Sequence, residues 1–217
     1  CSLVMSEVSN TPVTCSGDDD GIAEVLATGG IEPYVYSWSV GTTGAVASGL
    51  SGGTHVVNVV DNASCTANIN IDILEPATLS IASTVTDVQC NGNAEGEVII
   101  NVSGGNGGNN TVWEDASTAL SRTGLVVGDY DVTVTDAKGC VTISSYGITE
   151  PSALNTSVAC SPTSTIGAAD GGATFTDAGG TTPYLYSWSN GATDKSVSGL
   201  SAGQIIGTVT DDNGCAV

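Results

Sequence analysis

The sequence predicts an all-β protein, a tandem array of three β-sandwich modules. Trp38, Trp113 and Trp188 stand 75 residues apart, and each lies in a segment that copies the other two. Self-similarity at a fixed period is the signature of a repeat architecture. Between the tryptophans, short runs of β-branched residues alternate with polar ones and end at Gly, Asn or Asp, which is typical of strands joined by turns.

The phase of the repeat divides the chain into modules. Residues 29–39 read GGIEPYVYSWS and residues 179–189 read GGTTPYLYSWS, and all three copies continue in phase to a closing cysteine. The expected division is the end of a preceding repeat at 1–10, then modules at 11–76, 77–151 and 152–217. We expect the last module to lack its final strand, which further sequence or an adjoining subunit would supply.

Four segments show the composition of strands: 34–38, 97–102, 130–135 and 141–144. In 130–135, Tyr130, Val132 and Val134 would face the core, because alternate residues of a strand point to opposite faces. Each module would hold about six or seven strands around one tryptophan, in the way that immunoglobulin-like sandwiches surround a buried tryptophan. Trp38, Trp113 and Trp188 are therefore the predicted core aromatics.

The charge balance excludes several partners. The chain carries 3 Lys plus Arg against 23 Asp plus Glu, for a net charge of −20. No basic cluster is present to bind phosphates, so nucleic acid and anionic membrane surfaces are excluded as electrostatic partners. No segment reaches the roughly 18 apolar residues of a membrane helix, so membrane insertion is not expected. No leader peptide is recognisable, and we expect a mature chain or a fragment.

Residues that commonly perform catalysis are scarce. The single histidine, His55, aligns at the repeat step with Tyr130 and Ile205, so it is expected in the core or at a strand edge. The serines have no base beside them in the sequence. The glycine-rich segment 104–108 lacks the lysine and the following helix of a phosphate-binding loop. We therefore expect no enzyme and no catalytic residue.

The cysteines recur once per module and predict intramodular disulfides. The pairs would be Cys15 with Cys65, Cys90 with Cys140, and Cys160 with Cys215. Such spacings are too wide for a zinc motif, and disulfides indicate an oxidising, extracellular setting. Cys160 lies further before its tryptophan than the other opening cysteines do, so the first loop of the third module is expected to be remodelled.

Cys1 begins a segment that is similar to the one beginning at Cys140. It would then be the closing cysteine of a preceding repeat, with its partner upstream. The alternative is a lipidated N-terminal cysteine.

Acidic loops are the candidate metal sites. Asp18 and Asp20 follow Cys15, and Asp61 precedes Cys65, so the expected disulfide would draw these carboxylates to one pole, where they could bind Ca²⁺. The competing interpretation, which we favour, is that Asp before Gly initiates a turn by bonding its own backbone. Residues 211–214 are the second candidate. No other cofactor is expected.

The chain resembles the SprB repeat of large cell-surface adhesins in gliding Bacteroidota. The third module carries the resemblance most fully, in 179–193, 199–203 and 209–215, whereas the second keeps the glycines, the tryptophan and the ending GDYDVTVTDAKGC. The resemblance implies export through the type IX system, display outside the outer membrane, and a surface stalk, adhesin or filament. It implies no catalytic residue.

The expected function is thus an extracellular structural or adhesive repeat region that forms an elongated stalk or filament. The alternatives are a glycan-binding module and an accessory region of a secreted enzyme. The exposed aromatics that glycan binding needs could only be Tyr34, Tyr36, Tyr184 and Tyr186, which we expect to pack instead. Partners would be neighbouring repeats, other copies of the chain, or surface polysaccharide. Glycosylation is expected on Ser and Thr rather than at the sequons of Asn62, Asn101, Asn109 and Asn155.

Overall fold

The computed structural model describes residues 1–217 and contains seventeen β-strands and no helix. The first repeat forms β1 (Val4–Thr11), β2 (Gly21–Thr28), β3 (Val35–Trp38), β4 (Val46–Leu50), β5 (Gly53–Val60) and β6 (Thr66–Ile73). The second forms β7 (Ser80–Thr86), β8 (Gly96–Ser103), β9 (Asn110–Trp113), β10 (Ser121–Leu125), β11 (Gly128–Thr135) and β12 (Val141–Ile148). The third forms β13 (Asn155–Ser161), β14 (Gly171–Ala178), β15 (Leu185–Trp188), β16 (Ser196–Leu200) and β17 (Gly207–Thr210).

Each repeat builds two sheets in the same arrangement, with one strand fewer in the second sheet of the third repeat. In the first repeat the strand orders are β1-β2-β4 and β3-β5-β6; in the second they are β7-β8-β10 and β9-β11-β12. In the third they are β13-β14-β16 and β15-β17. This arrangement confirms the predicted all-β tandem array of immunoglobulin-like sandwiches, since two antiparallel sheets of short strands enclose each core.

The core of the first repeat lies between its two sheets. Along β2, buried Ala23, Val25 and Ala27 alternate with exposed residues, which is the pattern of a strand with one face on the core. The opposite sheet contributes Val57 and Ile71, both fully buried. Alternation therefore selects the inward face of each sheet, as predicted for residues 130–135, where Val132 and Val134 are fully buried.

The three tryptophans lie in these cores, with 4, 2 and 2% of their surface exposed. Each indole N–H donates to a backbone carbonyl in the loop that follows its strand. In order along the chain, the acceptors are Gly44, Ala119 and Asp194, at 2.8 to 2.9 Å. In the third repeat Phe175 also stacks on Trp188, with ring centroids 4.2 Å apart. The tryptophan thus ties its strand to the loop as well as filling the core.

Residues 1–10 are not the end of a preceding repeat. They contain β1, which pairs antiparallel with β2 and buries Met5 in the core of the first repeat. By strand order β1 corresponds to β7 and β13, the first strands of the other two repeats. The segments at Cys1 and Cys140 are similar in sequence although they are a first and a last strand, because both kinds of strand favour β-branched residues.

The third repeat has five named strands. Its second sheet holds only β15 and β17. Beside β17, where the other repeats have their last strand, a single antiparallel bridge joins Thr210 to Ala216. The chain divides into two compact units, 1–82 with 100–119 and 132–144, and 83–99 with 120–131 and 145–217. The middle repeat supplies residues to both units.

The structure contains no helix that is long and apolar enough to cross a membrane.

Candidate functional site: the cysteine-linked turns

The disulfides connect different cysteines from those predicted. The bonded pairs are Cys1–Cys65, Cys15–Cys140 and Cys90–Cys215, with Cα separations of 5.7, 5.6 and 5.6 Å. Cys160 is free and exposed. The intramodular pairs Cys15–Cys65, Cys90–Cys140 and Cys160–Cys215 are therefore wrong. Two of the three bonds join the opening loop of one repeat to the closing loop of the next.

The reason is that opening and closing cysteines lie at opposite ends of the same strand. The backbone N–H of Val13 donates to the carbonyl of Leu74 at 3.1 Å, which places the Cys15 loop beside the C-terminal end of β6. Cys65 immediately precedes the N-terminal end of β6. Eight strand residues span roughly 26 Å, whereas a disulfide requires Cα atoms within about 7 Å. The two cysteines of one module cannot meet.

Cys1 and Cys160 also depart from expectation. Cys1 bonds Cys65 within the first repeat, so the expected upstream partner is wrong. Cys160 lies in β13, opposite Ala173, rather than in the following loop. The loop position that corresponds to Cys15 and Cys90 is occupied by Thr165.

The first loop of the third repeat is not remodelled. The N–H of Ala168 donates to the carbonyl of Thr165 at 3.1 Å, as the N–H of Asp18 does to Cys15 and that of Asn93 does to Cys90. The cysteine has therefore changed position in the sequence while the turn has kept its conformation.

A buried aspartate organises the closing turn of every repeat. Asp61, Asp136 and Asp211 are 5, 5 and 2% exposed. One carboxylate oxygen of each accepts the N–H groups of the residues two and four positions later, at 2.8 to 3.0 Å; the second of these residues is the closing cysteine. The other oxygen accepts the N–H of Ile31, Asn106 or Thr181. The carboxylate thereby fixes the position of the cysteine.

The hydrogen bonds to these carboxylates govern their pKa values. Burial of Asp136 acts to raise its pKa, but the N–H and side-chain amide of Asn106, together with the N–H groups of Cys140 and Lys138, outweigh burial and lower the pKa to about 2. The pKa of Asp61 is lowered by the same kind of balance, and that of Asp211 chiefly by the N–H of Thr181. All three aspartates are ionised at neutral pH.

The glycine pair that precedes each tryptophan makes room for this carboxylate. At Gly105 φ is +64°, a backbone conformation that L side chains rarely adopt, and a Cβ there would lie 2.8 Å from Oδ2 of Asp136. Gly30 and Gly180 have the same relation to Asp61 and Asp211. This explains why the second repeat keeps the glycines even where it loses the rest of the GGxxPYxYSWS segment.

An asparagine amide clamps each of the two inter-repeat disulfides. The side-chain amide of Asn106 donates to the carbonyl of Thr14, and that of Asn213 donates to the carbonyl of Gln89, both at 2.9 Å. Thr14 and Gln89 directly precede the opening cysteines and are equivalent in the repeat. The donors are not equivalent, since Asn106 corresponds to Thr181 and Asn213 to Lys138. Comparison of the repeats by sequence therefore misses both clamps.

A linker glutamate holds the opening loop from the other side. Oε1 of Glu75 accepts the N–H of Gly17 at 2.7 Å and the hydroxyl of Ser16 at 3.0 Å. In the next linker, Oε2 of Glu150 accepts the N–H of Gly92 at 2.7 Å. The recurring Glu-Pro of the linkers thus has a structural role beside each cysteine.

The predicted calcium ligands are not brought together. Asp20 bonds the N–H and the hydroxyl of Thr14, and burial only partly opposes the resulting fall in its pKa. Asp18 lies exposed in the same loop, while Asp61 lies at the other end of β6. No three His, Cys, Asp or Glu side chains form a group suited to a metal ion. The expected common pole is absent because the disulfide that would create it does not form.

His55 and the candidate tyrosines pack as structural residues. His55 is 5% exposed and one ring nitrogen lies 2.8 Å from the carbonyl of Ser51, which confirms the expected core position. The hydroxyls of Tyr34 and Tyr184 donate to the carbonyls of Gly29 and Gly179 at 2.5 Å, and that of Tyr186 donates to Asp177 at 2.9 Å. These aromatics are partly buried and their polar ends are bonded within the repeat.

Solved structures of immunoglobulin domains show a weak overall likeness. The four N-terminal Ig domains of Dscam1 isoform 9.44 are 11% identical, with a TM-score of 0.26, over 98% of this chain and 70% of that one. Domains A168–A170 of titin are 12% identical, with a TM-score of 0.30, over 98% and 94%. The immunoglobulin-like fold is therefore inferred from the strand order of the two sheets in each repeat. No curated protein matches the chain.

The family comparison gives a direct result. The model described as "SprB repeat" matches residues 8–43 and 82–110, in the first and second repeats. The third repeat, which carries the motif most fully, lies outside the matched residues. The match covers the opening cysteine loop in both repeats, and in these two segments the chain is similar to the SprB repeat family, as the sequence resemblance predicted.

Proposed function

We propose that this chain is an extracellular structural or adhesive repeat region that forms part of an elongated cell-surface stalk or filament. The observation that supports the proposal is the pair of disulfides joining the opening loop of one repeat to the closing loop of the next. Such bonds persist in oxidising compartments, and they fasten repeats end to end in sequence. SprB repeats occur in cell-surface proteins, which supports the proposed extracellular location.

The site geometry favours a structural role over catalysis or glycan binding. The acidic groups near the disulfides accept backbone N–H groups. The hydroxyls of Tyr34, Tyr184 and Tyr186 donate to carbonyl or carboxylate groups of their own repeat, and that of Tyr36 accepts the N–H of Ala27. A sugar platform would need exposed aromatic faces with free polar ends. The partners proposed here are neighbouring repeats or further copies of the chain.

Immunogold labelling of intact cells tests the proposal, with antibodies raised against the folded chain. We expect label on unbroken cells at a distance from the outer surface, on thin projections visible by negative stain. Cells broken before labelling serve as the control for antibody access. Label that appears only after the cells are broken would reject the extracellular assignment.

A further inference from the structure

We propose that the disulfides of this chain form a load path that bypasses most of the polypeptide, so that tension along the array cannot unravel its repeats. The proposal extends the structural role above to a mechanical one. It depends only on which cysteines are bonded and on their order in the sequence, not on the shape of the molecule.

The two inter-repeat loops overlap. Cys90 lies inside the loop that Cys15–Cys140 closes, and Cys140 lies inside the loop that Cys90–Cys215 closes. Each loop has a sequence separation of 125, which is longer than the repeat of 75. Consecutive disulfide loops in such an array must therefore overlap along the sequence. As a result, no single cut of the backbone between Cys15 and Cys215 separates the chain into two pieces.

The shortest covalent route from one end to the other uses two of the bonds. It crosses from Cys1 to Cys65, follows the backbone to Cys90, crosses to Cys215 and ends at Val217. The backbone part of this route is the 25 peptide units from Cys65 to Cys90 and the two after Cys215, so it reaches about 95 Å when taut, or about 105 Å with the two disulfides. The reduced chain would reach roughly 750 Å.

The load then falls on one short segment. Residues 65–90 comprise β6, the Glu75-Pro76 linker and β7. The strands that carry Trp38, Trp113 and Trp188 lie outside the route and bear no covalent tension. Because β6 is held by β5 in an eight-residue register, force on the route is first resisted by sheet hydrogen bonds. The tryptophan strands are thereby protected from the pull that the array transmits, while β6, which carries the core residue Ile71, bears it.

Single-molecule force spectroscopy of the whole chain tests this, with protein handles fused to both ends so that no cysteine is altered. The oxidised chain should stop extending at about 105 Å between its ends, and reductant should release it to roughly 750 Å. Cys160→Ser is the matched control and should leave the oxidised limit unchanged, because that cysteine is free.

Two variants change the route by known amounts. Cys1→Ser forces the path through Cys15–Cys140 and back along the backbone to Cys90, which raises the limit to about 240 Å. Cys90→Ser leaves Cys15–Cys140 as the one disulfide on the shortest route, since Cys1–Cys65 no longer shortens it, and raises the limit to about 325 Å. The limits depend on covalent connectivity, so non-reducing peptide mapping of each variant must show its remaining native disulfides before it is pulled.

The outcomes separate this inference from the proposed function. An oxidised wild-type limit near 230 Å would match intramodular pairing, and one near 750 Å would match no effective pairing; either would overturn the load path. Neither result bears on where the protein resides, which the labelling experiment decides. A limit near 105 Å in a protein found only inside cells would keep the mechanical device and reject the surface role.

Discussion

At the scale of single residues, the aspartate of the closing turn contributes most to the site. Its carboxylate accepts three backbone N–H groups, including that of the cysteine that will form the disulfide. Hydrogen bonds to a charged acceptor are stronger than neutral ones. A single side chain thus aligns the turn, the preceding glycine pair and the closing cysteine, and it recurs at Asp61, Asp136 and Asp211.

The lowered pKa of Asp136 predicts acid sensitivity. Its pKa is about 2 when folded against 3.8 as the ordinary value, so its stabilising effect is complete above pH 4 and is lost as the pH falls toward 2. Asp136→Asn should lower the melting temperature at pH 7 by several degrees and flatten the loss of stability between pH 4 and 2. Asp18→Asn, an exposed position, is the control. Thermal unfolding across this pH range measures both, and identical profiles for the two variants would contradict the role of Asp136.

The asparagine clamps predict a reciprocal effect on the two inter-repeat disulfides. Asn106→Ala removes the donor to Thr14 and should speed reduction of Cys15–Cys140 a few-fold, leaving Cys90–Cys215 unchanged. Asn213→Ala should do the reverse, because its amide bonds Gln89. Each variant is the control for the other. Peptide mapping after timed exposure to dithiothreitol reads both bonds, and equal acceleration of both in either variant would argue against local clamps.

At the scale of elements, β6 decides which cysteines can meet. Its length holds the closing turn of a repeat away from the opening loop, while the linker glutamate and the bond from Val13 to Leu74 hold that opening loop at its far end. The opening cysteine is thus placed where the following repeat can reach it. The strand acts as a spacer as well as a sheet member.

A cut in the linker tests this connectivity. A protease site inserted between Pro76 and Ala77 should, after cleavage, give one band on a denaturing gel without reductant and two bands with it, because Cys15–Cys140 still joins the pieces. In the Cys15→Ser background the same cleavage should give two bands in both gels. Two bands from the unmodified cysteine set without reductant would show that Cys15 and Cys140 are not bonded.

At the scale of the whole molecule, the net charge of −20 opposes the compact state through self-repulsion. Screening by salt shortens the range of this repulsion to about 10 Å at 0.1 M ionic strength. Several acidic side chains, including Asp20, Asp61, Asp136, Glu75 and Glu150, accept backbone N–H groups.

This distribution predicts how the protein responds to divalent cations. Calcium should raise the melting temperature no more than magnesium at the same concentration, because no three acidic side chains form a metal-binding group. Sodium chloride at matched ionic strength provides the reference for screening alone. Differential scanning fluorimetry measures the three conditions. A rise specific to calcium would reveal a ligand set that the free protein does not assemble.

Local pattern was enough to determine the repeat, the all-β class and the inward face of the strands. Alternation along β11 directly reports which side chains leave water, so the burial of Val132 and Val134 follows from sequence and elementary packing. The recurrence of Asp61, Asp136 and Asp211 was also visible, although its role in capping the turn required the hydrogen bonds.

The cysteine partners were decided only by the tertiary structure. Spacings of 50 and 125 residues differ by one repeat, so a periodic sequence supports both pairings equally. What separates them is that β6 holds Cys15 and Cys65 at its opposite ends, while the Cα atoms of Cys15 and Cys140 lie 5.6 Å apart. The clamps of Asn106 and Asn213 were not visible in the sequence for the same reason. Their carbonyl acceptors, Thr14 and Gln89, are equivalent in the repeat, but the two asparagine donors are not. Sequence periodicity determines what each module is, and only the three-dimensional placement of its loops determines which module each cysteine joins.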